Sequence, residues 1–151
     1  RIVVIGLQAK FPLLLQSTGL ALWRDSIAMC DYLIEMDPVD GPWLELGAGL
    51  GVCGILAAKL LPDSSFLLTD GDTDTLRNMR ENIALNDSRA TCQQLIWGSN
   101  AESFRQEKLT VMASAVVYAQ DSLPPLFQTV KDLAPQRFQR VYGFEPTHSQ
   151  F

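Results

Sequence analysis

The chain has 151 residues, of which 47% are hydrophobic and 19% are charged, and this length and composition predict a single domain, 1–151, with a sizeable core. The formal net charge is −5, and the Lys and Arg residues are scattered along the chain, which argues against nucleic acid as the main partner. No apolar run is long enough to cross a bilayer, so we expect no membrane partner.

The first 42 residues are predicted to lead into the core of the domain. Arg1–Leu7 is short and apolar and predicts a strand. Arg24–Glu35 has apolar residues at helical spacing and predicts a helix, which the proline and glycine residues of 38–42 bring to an end. The lead-in segment, 1–42, therefore consists of a strand and a helix that precede the first core strand.

Residues 43–133 alternate between short apolar runs, which predict strands, and longer stretches with helical spacing, which predict helices. Nearly continuous apolar strands that alternate with helices are typical of a parallel sheet covered on both faces. The predicted fold class is therefore α/β with a Rossmann-like, doubly wound and mostly parallel sheet. The predicted strands are Trp43–Leu46, Phe66–Thr69, Thr91–Trp97 and Val111–Tyr118, and the predicted helices are Val52–Leu61, Thr73–Asn86 and Ser122–Leu133.

A glycine-rich loop, LELGAGLGVCG, spans Leu44–Gly54 at the end of the first core strand. Gly47, Gly49 and Gly51 let the backbone turn tightly and let a ligand approach closely. Asp70 ends the second strand about twenty residues on, where an acid accepts hydrogen bonds from ribose hydroxyls and disfavours a 2′-phosphate. The loop and the acid together predict a nucleoside derivative as the ligand. The alternative is a plain tight turn in an α/β protein.

The residues of the loop bear on which nucleoside binds. A dinucleotide fold usually has G-x-G-x-x-G, with the N–H groups of a helix facing a pyrophosphate. Here the sequence is Glu45-Leu-Gly47-Ala-Gly49-Leu-Gly51, which resembles motif I of the seven-strand S-adenosylmethionine-dependent methyltransferases. An acid beside the glycines suits a sulfonium cation and would repel a diphosphate. A nicotinamide-dependent oxidoreductase is therefore the weaker alternative.

Three further segments extend this resemblance: TGLALW at Thr18–Trp23, NIALN at Asn82–Asn86 and LIWG at Leu95–Gly98. Together with the glycine loop they look like the protein-lysine methyltransferase subgroup, the methyltransferase-like enzymes, over Gln16–Leu133. The resemblance implies the class I methyltransferase fold, S-adenosylmethionine as the cofactor, and a protein substrate whose lysine side chain accepts the methyl group.

The same resemblance implies roles for individual residues around the cofactor. The glycine loop passes under the methionine part, Asp70 binds the ribose hydroxyls, and Trp97 lies against the adenine. Trp23 lines the pocket, and the end of the fourth strand closes it. The residues implied to bind the cofactor are Trp23, Glu45, Gly47, Ala48, Gly49, Asp70, Trp97, Ala113 and Ser114.

Several of these residues also have a plain structural alternative. Trp23 and Trp97 could be core aromatics, and Glu45 could be an acid that bonds the loop or faces the helix dipole. Asn82 and Asn86 are expected to cap a helix end and not to touch the ligand. The sequence leaves these alternatives open.

The chain departs from the family near the expected entrance for the methyl acceptor. The family carries Asp-x-x-Tyr/Phe after its fourth strand, whereas this sequence has Ala115-Val-Val-Tyr118. Tyr118 and Ala115 are therefore the candidates for the acceptor channel, and no catalytic base is named. Since a carboxylate would help to hold a lysine cation, its loss leaves three explanations: a different acceptor, an engineered substitution, or a catalytically silent binding or scaffold domain.

The C-terminal part, 134–151, is too short to complete such a sheet. Arg140–Phe144 is predicted to be one of the late strands, and we expect residues to be missing near Pro135 and Gln136 and after the last residue. His148, the single histidine, is expected at the surface. The sequence also begins without Met, which predicts that it is a piece of a longer protein.

Cysteine usage adds an expectation about the cellular compartment. Cys30, Cys53 and Cys92 are an odd number of cysteines without the spacing of metal ligands, so we expect free thiols, no metal site and a reducing compartment. We therefore expect a monomer in the cytoplasm, with the nucleus as a second location.

Overall fold

The computed structural model describes residues 1–6, 18–99, 101–117 and 119–133, and the backbone of 141–144. None of the described helices is long and apolar enough to cross a membrane. The described strands are β1 (Pro42–Leu46), β2 (Ser65–Asp70), β3 (Thr91–Gln94), β4 (Thr110–Ser114) and β5 (Val141–Phe144), and the described α-helices are α1 (Arg24–Glu35), α2 (Val52–Leu60), α3 (Thr73–Leu85) and α4 (Leu123–Leu133).

The described strands form one sheet in the order β3-β2-β1-β4-β5, and every neighbouring pair is parallel. From β1 the chain moves outward through β2 to β3, and it then returns to β4 on the other side of β1. The strand order therefore reverses between β1 and β4, and open α/β sheets bind ligands at the carboxyl ends of the strands beside such a reversal. The predicted α/β class with a parallel sheet is confirmed.

The side chains of β1 alternate between two hydrophobic cores, one on each face of the sheet. Trp43 packs in one core with Met29 of α1 and Met79 of α3. Leu44 lies in the other core, together with Leu126 of α4. Because successive residues of a strand point to opposite faces, the apolar residues of β1 contribute to both cores. The loop that follows β1 lies at the edge of the sheet where the strands end.

The described residues of the predicted N-terminal strand form no strand, so that prediction is wrong for them. Their backbone instead pairs with asparagine side chains: Ile5 N donates to Asn82 Oδ1 at 2.7 Å, and Val3 N donates to Asn86 Oδ1 at 2.9 Å. In return, Asn82 Nδ2 donates to the carbonyl oxygen of Ile5, and Asn86 Nδ2 donates to that of Val3. Asn82 also donates to Leu50 O at 3.0 Å, so it clamps two chain segments from within α3 and does not cap the helix end.

Two strands end earlier than their apolar sequences predict. β3 ends at Gln94 and β4 ends at Ser114. β4 ends there because Ala115 has a φ of +57°, a left-handed conformation that no strand residue adopts. β5 falls within the predicted late strand Arg140–Phe144, beside β4. The expected surface position of His148 lies outside the described residues.

Candidate functional site

A cavity of about 520 Å³ opens at the carboxyl ends of β1, β2 and β4. This volume is typical of pockets that hold a small molecule or a cofactor. The predicted site residues that line the cavity are Trp23, Gly47, Ala48, Gly49, Asp70, Trp97, Ser114 and Ala115.

The glycine loop between β1 and α2 borders the cavity. Gly47 and Gly49 have φ values of +63° and +54°, which favour glycine. A Cβ atom at Gly47 would lie 2.8 Å from Val116 Cγ1 and 3.1 Å from Trp97 Cζ2, and one at Gly49 would lie 3.1 Å from Gly19 O. The two glycines are therefore required by backbone conformation and also by the close approach of neighbouring segments.

Asp70 ends β2 and lies against the glycine loop. Its Oδ2 accepts a hydrogen bond from Gly49 N at 3.1 Å, and its Oδ1 accepts one from Asp72 N at 3.1 Å. Burial raises the pKa of Asp70, while the N–H groups of Asp72 and Gly49 oppose that rise. Each oxygen keeps a lone pair free for a further donor, so the carboxylate can accept hydrogen bonds from ribose hydroxyls.

The three tryptophans separate into one core residue and two cavity residues. Trp43 is 2% exposed and stacks on Phe66 with ring centroids 5.7 Å apart. Trp97 is half-buried and lines the cavity, and Trp23 lines it with 41% of its surface exposed. The indole Nε1 of Trp23 donates to Thr18 O at 3.0 Å. The core-aromatic alternative therefore does not apply to Trp23, whereas Trp97 both packs against a hydrophobic core and lines the cavity.

The cavity carries negative charge. Asp25, Asp70 and Asp72 line it, and no described lining residue is Lys, Arg or His. Hydrogen bonds from Thr75 lower the pKa of Asp72, so that this acid is ionised at neutral pH. Asp25, to which no motif of the sequence pointed, stands in the first turn of α1, two residues after Trp23. This electrostatic environment favours a ligand that carries a positive charge.

Glu45 is not among the residues that line the cavity, so its position gives no support to the predicted contact with the cofactor. It is 4% exposed, and its Oε2 accepts a hydrogen bond from Gly54 N at 2.9 Å, in the first turn of α2. A Cβ atom at Gly54 would overlap with Leu68 Cδ2 and lie 2.6 Å from Glu45 Oε2, so glycine lets the helix approach the sheet here. Burial raises the pKa of Glu45 to about 8. Its structural alternative, an acid that bonds the helix start, is the one observed.

The end of β4 divides its predicted site residues. Ala113 is buried in the core with Leu46 and does not line the cavity, because alternate strand residues face opposite sides. This position gives no support to its predicted role as a cofactor contact. Ser114 and Ala115 do line the cavity. Tyr118 lies outside the described residues.

Comparison with known families places the chain among the methyltransferases. The sequence profile of a family described as lysine methyltransferase matches residues 12–150, which is most of the chain. The chain belongs to the lysine methyltransferase family. The resemblance that the glycine loop and its companion segments indicated is thereby confirmed.

Named relatives in this family resemble the chain at moderate identity. It is 32% identical over 117 residues to EEF1A lysine methyltransferase 3 of Xenopus tropicalis, covering 74% of this chain and 51% of the relative. It is 31% identical over 140 residues to protein N-lysine methyltransferase METTL21A of the same species, covering 82% and 63%. The chain therefore spans between about half and two thirds of the length of these two relatives.

Solved structures show the same fold at low sequence identity. A Methanococcus maripaludis protein, provisionally described as an S-adenosyl-L-methionine-dependent methyltransferase, superposes with a TM-score of 0.57 at 17% identity, covering 79% of this chain and 55% of that protein. PKMT2 of Rickettsia typhi superposes with a TM-score of 0.52 at 16% identity, covering 74% and 23%. These similarities confirm the methyltransferase-type α/β fold.

Proposed function

We propose that this chain is the cofactor-binding part of an S-adenosylmethionine-dependent enzyme that methylates a lysine side chain of a protein. The observation that carries the proposal is a single cavity that joins the left-handed glycine loop, the Asp70 carboxylate and Trp97. Family membership and the names of the two relatives, both lysine methyltransferases, support the reaction and the acceptor.

The residues of the cavity fit the parts of this cofactor. The glycine loop offers a close approach for the methionine part, since a side chain at Gly47 would clash with its neighbours. Asp70 is held by two backbone N–H groups in a position to accept ribose hydroxyls, and Trp97 offers a flat apolar surface for the adenine. The negative charge of Asp25 and Asp72 suits a ligand that carries sulfonium and ammonium groups.

The chemistry asked of the protein in such a site is limited. When bound, S-adenosylmethionine supplies a methyl group that its positively charged sulfur already activates. The described residues bind and orient the cofactor, so that its alignment with the acceptor nitrogen accounts for much of the rate enhancement. No described residue is assigned as a base.

The competing nicotinamide dinucleotide fits the start of α2 poorly. A pyrophosphate would need free N–H groups at the first turn of that helix. The N–H of Gly54 already donates to Glu45 Oε2 from within the protein. The acidic cavity, which has no cation among its described lining residues, would also repel a diphosphate.

A thermal-shift and titration experiment on the full-length protein tests the cofactor. We expect S-adenosylhomocysteine to raise the melting temperature, because a ligand that binds only the native state stabilises it. Calorimetric titration with S-adenosylmethionine and with NAD gives the affinities. A shift with NAD and none with either adenosyl ligand would overturn the assignment.

A catalytically silent, methyltransferase-like binding or scaffold module is the second candidate, and Ala115 is the observation that favours it. Labelled methyl transfer to purified EEF1A, the protein in the name of one relative, and to the proteins of a cell extract separates the two. Cofactor binding without any transfer would support the silent module. Transfer that stops after lysine blocking would support the enzyme.

We propose in addition that the protein acts as a monomer in the cytoplasm, with the nucleus as a second location. The proposal is supported by the reducing compartment expected from Cys30, Cys53 and Cys92, which are free cysteines in the described part of the chain. Light scattering of the full-length protein and imaging of a tagged copy would test it.

A further inference from the structure

Ser114 is the buried polar residue whose side chain lacks a partner in the described part of the chain. It is 7% exposed, and its Oγ makes no hydrogen bond there. An unpaired buried hydroxyl destabilises a folded protein, so such groups call for an explanation. Ser114 also lines the cavity at the end of β4, where a bound ligand could supply the missing partner.

The register of the sheet locates this hydroxyl along the cavity. Leu46 of β1 is paired with Ala113 of β4, so Ser114 stands level with Gly47, the first residue of the glycine loop. Asp70 lies at the end of β2, on the opposite side of β1. A ligand whose ribose is bound by Asp70 can therefore reach Ser114 with the part that crosses the glycine loop, which is the methionine part.

The charges around the cavity indicate which group of the methionine part needs a neutral donor. Its ammonium group can be held by the aspartates, whereas its carboxylate meets no cation among the described lining residues. Two polar hydrogens of the lining are already used: Trp23 Nε1 donates to Thr18 O, and Thr75 Oγ1 donates to Asp72 Oδ2 at 2.8 Å. The hydroxyl hydrogen of Ser114 is unused within the described part of the chain, and Ser114 is more buried than Thr18 and Ser26, the other lining residues besides Thr75 with a hydroxyl that could donate.

We propose that Ser114 Oγ donates a hydrogen bond to the carboxylate of the methionine part of S-adenosylmethionine. This inference rests on the proposed function and adds a positioning contact on the β4 side of the cavity. Because the hydroxyl has no other described partner, its removal affects the bound state and leaves the free protein intact.

The test compares Ser114→Ala with the unaltered full-length protein against three ligands by calorimetric titration. S-adenosylmethionine carries the carboxylate, decarboxylated S-adenosylmethionine lacks it but keeps both cations, and methylthioadenosine lacks the whole amino-acid end. We expect Ser114→Ala to weaken S-adenosylmethionine binding by roughly tenfold to a hundredfold, the range for a hydrogen bond to a charged group. The affinities for the other two ligands should change by less than about twofold.

The melting temperature of the ligand-free protein distinguishes a ligand-binding serine from a structural one, since removing a structural serine would lower it. Ser114→Ala should leave the melting temperature of the ligand-free protein unchanged or raise it, since an unsatisfied buried hydroxyl is removed. Ser64→Ala is the matched control, because Ser64 Oγ accepts from Gly41 N at 3.3 Å and lies outside the cavity. That control should lower the melting temperature and keep the affinity for S-adenosylmethionine.

Each remaining outcome contradicts the inference in a distinct way. Unchanged S-adenosylmethionine affinity in Ser114→Ala would show that the hydroxyl is not used. Equal losses for the two sulfonium ligands would assign it to a group other than the carboxylate, and equal losses for all three would make it a pocket-shaping residue. If the unaltered protein bound none of the three ligands, the proposed function would fail and this inference with it.

Discussion

The two sides of the cavity differ in how fully the protein satisfies its own polar groups. On the β2 side, the Asp70 carboxylate accepts two backbone hydrogen bonds, and Asp72 caps α3 by accepting from Thr75 N at 2.7 Å. On the β4 side, Ser114 Oγ has no described partner and Ala115 holds a left-handed φ of +57°. The β2 side is thus complete in the free protein, whereas the β4 side presents an unused hydroxyl and a strained residue.

This difference indicates where stability and function are coupled. A side chain that also bonds its own backbone should lower both the stability and the ligand affinity when it is removed. A side chain that bonds only the ligand should lower affinity alone. Strained or unsatisfied groups persist where the surrounding structure enforces them, and they concentrate at functional sites. Measuring both quantities on the same variants can therefore break the comparison or sharpen it.

The largest effect is expected at Gly47, which lies between the two sides. Gly47→Val would place a β-branched residue at a φ of +63° and a Cβ 2.8 Å from Val116 Cγ1. We expect a loss of about 2–4 kcal/mol in the free energy of unfolding and no measurable cofactor binding. Urea unfolding and calorimetry measure the two effects.

Gly71→Ala is the matched control for stability. A Cβ atom there would meet only Leu95 O, at 3.9 Å, so the free energy of unfolding should stay close to that of the unaltered protein. If Gly47→Val retained normal stability and cofactor affinity, the close approach of Gly47 to its neighbours would not be required for folding or for binding. Gly47 would then not link the two sides of the cavity.

Asp70→Ala should weaken cofactor binding by about 1–3 kcal/mol through the loss of a charged hydrogen-bond acceptor. It should also lower the free energy of unfolding, because the N–H groups of Gly49 and Asp72 lose their acceptor. This double loss is the contrast to Ser114→Ala, which should lower affinity alone. Asp70→Asn keeps one acceptor oxygen, so its cofactor affinity and its free energy of unfolding should lie between those of Asp70→Ala and the unaltered protein. Unchanged affinity in a folded Asp70→Ala protein would reduce Asp70 to a structural residue.

Local signals made much of the fold predictable from the sequence. The bounds of α1, Arg24–Glu35, match the prediction because helical spacing and the following Pro and Gly residues are local features. Strand ends were harder to predict, because pairing in a sheet depends on the neighbouring strand and not on how apolar a run is. The apolar run through Val116 continues past the point where Ala115 turns β4 out of the sheet.

Site residues were predictable from the sequence where the residue type itself indicates the role. They were less predictable where the role depends on which way the side chain points in the folded protein. Gly47 and Asp70 line the cavity as expected, since the loop conformation and the strand end leave them few alternatives. Glu45 is beneath the loop because its strand position turns it toward Gly54, and alternation along a short strand does not show which face meets which helix. The lack of a partner at Ser114 is a property of the three-dimensional packing and has no sequence signal.

Ala115→Asp tests the β4 side from the direction of the acceptor. The left-handed φ of Ala115 is one that Asp and Asn tolerate better than most residues, so the variant should fold with an unchanged or higher melting temperature. A carboxylate at this rim of the cavity should hold the lysine cation and raise methyl transfer by roughly tenfold, with little change in cofactor affinity. Tritium transfer to the proteins of a cell extract provides the measurement.

Ala115→Asn separates the carboxylate charge from the backbone effect, since the two side chains have the same shape. It should share the stability of Ala115→Asp without the gain in transfer. A fall in stability without higher transfer in Ala115→Asp would instead show that this position serves packing. Substantial lysine methylation by the unaltered protein would show that the acid is dispensable here.

The smallest expected effect concerns Glu45, a buried carboxylate whose hydrogen bond from Gly54 N uses only part of its capacity to accept hydrogen bonds. Its pKa in the folded protein is about 8, raised by burial from the value of 4.5 for a free side chain. The folded state therefore binds an additional proton between these values, and the stabilising contribution present below pH 4.5 is lost as pH rises through about 8.

Glu45→Gln keeps an acceptor for Gly54 N and removes the titration. We expect it to match the unaltered protein in urea unfolding near pH 4.5 and to exceed it by about 1 kcal/mol or more at pH 8. A stability difference that does not change with pH would show that Glu45 is ionised in the folded protein, and that a satisfied carboxylate lies beneath the loop.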